Sequence, residues 1–266
     1  MIGQTGVTLR PLRARLRRLG HAFGIDVRPY APHSSAAARR ARIIALHGID
    51  LVLDVGANSG QYARDLRLAR YPGRIVSFEP LAEPFEALSR ESEGDPGWRC
   101  LQLALGRSED RTQMNVAANQ AASSSLLPME AWIARALPEQ AYVGTEVVQV
   151  VRLDDSALPL IDERDRVLLK LDVQGYELEV LEGGQLTLQR AEVVELELSL
   201  VRLYEDQPLW REVHDHLLSA GFELVTLDPT MHDDEGRLLQ MDGIFARSGD
   251  PKRAKATSMM LADEEP

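Results

Sequence analysis

Asp172 closes the run RVLLKLD, an apolar strand that delivers a carboxylate to the end of a sheet. An aliphatic hydroxyl ionises far above pH 7, so a reaction that uses one as nucleophile needs help with its proton. Asp172 can give that help as a general base, or by ligating Mg²⁺, which orients the hydroxyl and lowers its pKa. The later run EVVELELS puts Glu195 and Glu197 on one face of a strand. Glu197, nearer the carboxyl end, can join Asp172 in the hard oxygen site that Mg²⁺ accepts. Both glutamates can equally pair with Lys170 or an arginine, or lie on a solvated edge. Glu177, at the start of the following helix, favours the helix dipole.

A second constellation lies at LVLDVGANSGQY, residues 51–62. A buried strand ends at Asp54 and passes into Gly56, Ala57, Asn58 and Gly60, with Tyr62 just beyond. The glycines let the backbone come close to a ligand, and Asn58 tolerates a left-handed conformation. A helix starting near Gly60 offers its free N–H groups. The strand RIVSFE then ends in Glu79, before Pro80, where a carboxylate can accept hydrogen bonds from both hydroxyls of a ribose. The dinucleotide fingerprint G-x-G-x-x-G is broken, with Asn at 58 and Gln at 61, which weakens a pyrophosphate site and an NAD-dependent oxidoreductase. S-adenosylmethionine (SAM) has the ribose without the pyrophosphate.

Strands are expected over 51–55, 74–79, 98–104, 146–153, 166–172, 192–198, 222–227 and 239–246. Helical patterns fall near 60–70, 82–92, 129–136, 176–190 and 208–220. The alternation predicts a doubly wound α/β sheet, whose ligands bind beyond the carboxyl ends of its strands. Residues 106–127 interrupt it with polar, Ser-rich sequence and one extra strand or hairpin. If 222–227 runs parallel and 239–246 returns antiparallel, the loop DPTMHDDEGRL lies on the ligand side, where His232 and the acids after it can bind a polyol; a solvated acidic loop is the plainer alternative.

The runs LDVGANSGQY, VSFEP, LALG and LLKLDVQGYELEVLEGG together resemble the FkbM family of SAM-dependent O-methyltransferases, over roughly residues 45–247. The resemblance implies a class I methyltransferase (Rossmann-like) fold of seven strands with the last antiparallel, and methyl transfer to a hydroxyl of a sugar, glycolipid or secondary metabolite. It assigns Asp54, Gly56, Asn58 and Gly60 to the cofactor turn, Glu79 to the ribose, and Ala104 and Leu105 to the region flanking the adenine. It places Ser124 in a loop by the site and makes an active-site contribution from Glu177 plausible. Gln174 stands where many members carry Glu. No D/N-P-P-Y run follows the strand at 166–172, which speaks against amine methylation of bases. A non-catalytic nucleoside-binding or scaffold protein is the reading from another class; intact Asp54, Glu79 and Asp172 count against it.

The net charge of −11 is uneven: residues 1–42 carry nine Arg against one Asp, so the rest is strongly acidic. That body is unsuited to nucleic-acid phosphates. The single Cys100, with no apolar run of membrane-spanning length and no secretory leader, points to a cytoplasmic protein. Three segments are expected: a basic helix and linker over 1–33, a methyltransferase domain over 34–247 and a polar tail over 248–266. Leu9, Leu12, Leu16, Leu19 and Phe23 form one stripe on the basic helix. It is expected to form a homodimer, with an anionic membrane surface as the less favoured partner. The expected acceptor is a small molecule or glycan.

Overall fold

The computed structural model describes residues 18, 19, 22–25 and 29–249. Most of the basic stripe, the dimer or membrane role expected of it, and nearly all of the expected tail lie outside these residues. Two compact units divide at residue 43. Helix α1, Ala36–His47, spans that division. Everything below concerns the second unit, residues 44–266.

Its centre is a seven-stranded sheet. β1 (Leu51–Val55), β2 (Arg74–Phe78), β3 (Trp98–Leu101), β7 (Val167–Leu171), β8 (Ala191–Ser199), β9 (Phe222–His232) and β10 (Leu238–Arg247) stand in the order β3-β2-β1-β7-β8-β10-β9. Pairing is parallel from β3 to β8, and β10 runs antiparallel to both its neighbours. This is the expected class I arrangement. β1 and β7 are buried along their whole length, as central parallel strands between helical layers must be, hence their near-continuous apolar sequence. Leu51, Leu53, Phe78, Leu169, Leu171, Val194 and Phe245 form the middle of the core.

α2 (Gln61–Leu68), α3 (Ala82–Ser92) and α8 (Trp210–Ser219) answer to three expected helices. A shorter α4 (Ala131–Ala136) answers to the fourth. The pattern over 176–190 is two helices, α6 (Glu177–Gly183) and α7 (Gln185–Arg190), broken at Gly184, where a side chain would run into Leu153. Leu153 belongs to α5 (Leu153–Ala157), a short helix absent from the sequence reading.

The expected strand 98–104 is not continuous. β3 stops at Leu101, and β4 (Ala104–Gly106) joins a separate sheet of order β4-β6-β5 with β5 (Asp110–Ala117) and β6 (Tyr142–Arg152). The expected strand 146–153 belongs to this sheet, and β5 is the extra strand anticipated within 106–127. In this sheet the three residues of β4, Ala117 of β5 and Val148 and Val150 of β6 are buried and the rest are not, so it lies largely on the outside.

Candidate active site

At the carboxyl ends of β1 and β7 a polar row crosses the apolar core. Ser77, Asp54, Lys170 and Glu195 are register partners on four adjacent strands, β2, β1, β7 and β8. Trp98 Nε1 donates to Ser77 Oγ (3.0 Å), which donates to Asp54 Oδ2 (3.1 Å). Lys170 Nζ lies 3.1 Å from Asp54 Oδ1, donates to the Gly56 carbonyl at 3.0 Å and sits 3.7 Å from Asp172 Oδ2. Burial opposes the Lys170 charge, but Asp54 and Asp172 outweigh it and raise its pKa. Tyr62, under the ammonium at 5.4 Å, donates to Glu195 Oε2 at 2.7 Å. Lys170 therefore pairs with Asp54 rather than leaving it for a ligand, and Tyr62 reaches inward.

The turn after β1 departs from its expected logic. Gly56 and Gly60 have positive φ, 74° and 86°, and Asn58 has the anticipated left-handed φ of 47°. The space beside each glycine is filled by protein. A Cβ on Gly56 would overlap the Asp172 carbonyl, and one on Gly60 would meet the Trp98 ring. The amides of the turn are also engaged: Gly56 and the buried Ala57 donate to Phe78 O, Asn58 to Glu79 Oε2, Ser59 to Asn58 Oδ1 and Gly60 to Ala57 O. Close packing of β7 against β1 requires the glycines, and residues 56–60 are not the source of free N–H groups.

Glu79 sits just beyond β2, 5% exposed. Its Oε2 accepts from Asn58 N (2.9 Å) and its Oε1 from Leu81 N (3.0 Å). Each carboxylate oxygen has two lone pairs, so one on each remains for a further donor. Burial pushes its pKa up to about 7. Pro80 follows, half-buried, and its carbonyl takes a long bond from Gln102. Ala104 and Leu105 are buried in β4, Ala104 against Leu81 and Val150.

Asp172, by contrast, is open: its side chain is 45% exposed at the carboxyl end of the sheet. Gln174, in the left-handed region at φ 53°, donates from Nε2 to Asp172 Oδ1 (2.7 Å) and to Glu197 Oε2 (3.2 Å). An amide donor thus occupies the position between the two carboxyls that the proposed Mg²⁺ would need. Burial, then the nearby Asp172 charge, holds Glu197 well above the usual carboxylate range, and a carboxyl that keeps its proton is a poor ligand for a hard cation. Among the described residues no group of three or more His, Cys, Asp or Glu can hold a metal ion. The expected Asp172–Glu197 metal site finds no support in this donor set.

Sequence reasoning missed three residues that hold this arrangement. Tyr204 donates to Gln174 Oε1 at 2.6 Å, and Ser125 Oγ donates to the Gln174 carbonyl at 2.7 Å. Lys170, named only as a partner for glutamates, is the third; a lysine inside a buried apolar run was the signal. Ser124 instead accepts from Ala117 N. Glu177 is buried, its pKa pushed up to about 7 by that burial, and its Oε1 accepts from Val173 N and Gly175 N, pinning the loop that carries Gln174. His232 ends β9 and is exposed, outside the hydrogen bonds of this network among the described residues.

A sheet of this order, with a glycine turn after its first strand and an acid after the second, defines a class I SAM-dependent methyltransferase. The model of the methyltransferase FkbM domain matches residues 54–224, and the chain belongs to that family. The chain is similar to 2-O-methyltransferase NoeI of Sinorhizobium fredii (strain NBRC 101917 / NGR234), 31% identical over 217 residues, 74% of this chain and 83% of that protein. Solved structures with a likeness to it include magnesium protoporphyrin IX methyltransferase (ChlM) from Synechocystis PCC 6803 with bound SAM, at 11% identity, 93% of this chain, 87% of that chain and a TM-score of 0.45. A fibrillarin/Nop5p complex matches at 16% identity, 83% of this chain, 84% of that chain and a TM-score of 0.43. With TM-scores under 0.5, neither bears on what this chain does. Among the described residues no helix is long and apolar enough to cross a membrane.

Proposed function

We propose that the chain is an O-methyltransferase in which Asp172 takes the proton of an acceptor hydroxyl, on a sugar or a hydroxylated metabolite. The observation that carries this reading is the contrast between Asp172 and its neighbours. Asp54 and Lys170 are buried and paired with each other and the buried Glu195 accepts from Tyr62, whereas Asp172 is half open, with Oδ1 oriented by Gln174 and Oδ2 3.7 Å from the Lys170 ammonium. A carboxylate held in one orientation at the mouth of the sheet is what a general base needs. Similarity to a protein named a 2-O-methyltransferase supports oxygen as the accepting atom.

SAM, when bound, supplies the methyl group. Glu79 would hold its ribose, since the two remaining lone pairs of that carboxylate match two hydroxyl donors. Titration calorimetry against SAM and NAD, followed by transfer of label from SAM to hydroxylated metabolites, tests the proposal. Binding of SAM but not NAD, with label recovered in an ether, is the expected result; label recovered only on nitrogen or carbon overturns it.

A further inference from the structure

A cavity of about 390 Å³ opens beyond the carboxyl end of β8, lined by Glu130, Trp132, Val201, Arg202, Asp233, Arg237 and Leu239. Its size falls within the roughly 300–1,000 Å³ of small-ligand pockets. It is tied to the Asp172 site through one short segment, residues 201–204. Trp132 Nε1 donates to Arg202 O, Glu130 N donates to Leu203 O, and two residues on from Arg202, Tyr204 donates to Gln174, which orients Asp172. Arg202 and Tyr204 are at most about 7 Å apart along the chain.

The lining has a definite chemistry. Arg237 and Glu130 have no ion-pair partner among the described residues, and Arg202 commits only its Nε, to Gln207 O. Asp233 Oδ1 is used inside its own turn, accepting from Glu235 N and Arg237 N. Among the described residues, guanidinium donors and a carboxylate acceptor without ion-pair partners thus line the cavity together with an indole ring. An anion would face Glu130 and Asp233, and a cation would face the arginines. A neutral polyhydroxylated ring satisfies both, its hydroxyls donating to the carboxylate and accepting from the guanidinium groups while its apolar face covers the indole.

We propose that this cavity is a saccharide subsite that holds a sugar unit further along the chain from the one presented to Asp172, so that the acceptor is an oligosaccharide rather than a monosaccharide. This rests on the O-methyltransferase reading and extends it. The test applies the full-length protein to an array of neutral mono-, di-, tri- and tetrasaccharides, with SAM titrated separately into the same preparations. At least one di- or trisaccharide should bind tenfold or more tightly than its component monosaccharides. Trp132→Ala and Arg237→Ala should each remove at least tenfold of that affinity with SAM affinity unchanged. Arg237 is exposed, so its variant guards against a folding defect in the other. No saccharide binding, no dependence on length, or variants that bind as the wild type does would each overturn the subsite. Methylation of monosaccharides with no length dependence leaves the O-methyltransferase reading standing and removes the subsite. Trp132-dependent oligosaccharide binding without methyl transfer to any sugar overturns both the acceptor subsite and the sugar-methylating reading.

Discussion

Lys170 Nζ and Asp54 Oδ1 lie 3.1 Å apart, on register-paired residues of the two central strands, with Lys170 8% exposed and Asp54 fully buried. Two ions this deep are tolerated because each is the other's solvation, completed by the Gly56 carbonyl and Ser77 Oγ. Lys170→Met leaves Asp54 as an uncompensated buried charge. Breaking such a pair costs about 3–5 kcal/mol, which urea denaturation of the variant should show. Adding Asp54→Asn should recover part of the loss, since the stranded charge is gone. A single-variant cost under about 1 kcal/mol would mean that the pair does not hold β1 to β7.

Glu79 carries the pH dependence. With its pKa raised to about 7 by burial, much of it is protonated below neutrality, and the proposed ribose hydroxyls need the ionised form as acceptor. SAM affinity should therefore rise as pH increases towards about 7 and level off above it, falling about tenfold per unit on the acid side. Binding should release a proton, visible as a buffer-dependent enthalpy. Glu79→Gln should flatten the profile and weaken SAM at pH 8 by at least tenfold. Gln suits the test better than Ala because its carbonyl can still accept one of the amides of Asn58 and Leu81 that the carboxylate now holds. A wild-type affinity that is flat from pH 5.5 to 8 would remove Glu79 from the ribose.

How far the sequence led can be judged residue by residue. The strand, the turn and the acid after β2 were legible because each rests on local chemistry: an apolar run, residues that tolerate positive φ, a carboxylate at a strand end. Asp172 was legible for the same reason. What escaped depends on contacts distant in sequence. Gly56 looked like a place for ligand, but the carbonyl it makes room for comes from Asp172, over a hundred residues on. Ser124 and Ser125 are indistinguishable as sequence; bridge pairing of Asn115 with Ser125 decides which hydroxyl reaches Gln174. Tyr204 sits in an irregular segment without periodicity. The second sheet was hidden because β4 and β6 pair across more than forty residues, and an alternating pattern does not say which sheet a strand joins.

Gly56→Ala should separate the two accounts of that turn. A methyl group there conflicts with backbone of the β7 loop and also has to adopt φ 74°. Left-handed backbone alone costs an L-residue about 1–2 kcal/mol. Gly94, at φ 84° with open space beside it, supplies the control: Gly94→Ala should lose only about that much. Gly56→Ala should lose clearly more, read as a larger fall in thermal midpoint. Equal losses at the two positions, with SAM binding lost only at 56, would restore the view that the glycine makes room for ligand.

Asp172→Asn tests the chemistry. The residue is open to solvent and Lys170 keeps its partner Asp54, so the fold and SAM affinity should change little, within about threefold. Turnover should fall about a hundredfold or more, since an amide cannot take the proton. Gln174→Leu probes the same position from its other side. It removes the donor shared by Asp172 and Glu197 without adding a charge, so turnover should fall while SAM affinity holds. Because an amide lies between the two carboxyls and Glu197 is pushed towards its neutral form, exhaustive chelation should leave wild-type turnover intact. Activity abolished by EDTA and restored by Mg²⁺ would show that Gln174 swings away in the working enzyme. Full turnover in Asp172→Asn would move the base elsewhere.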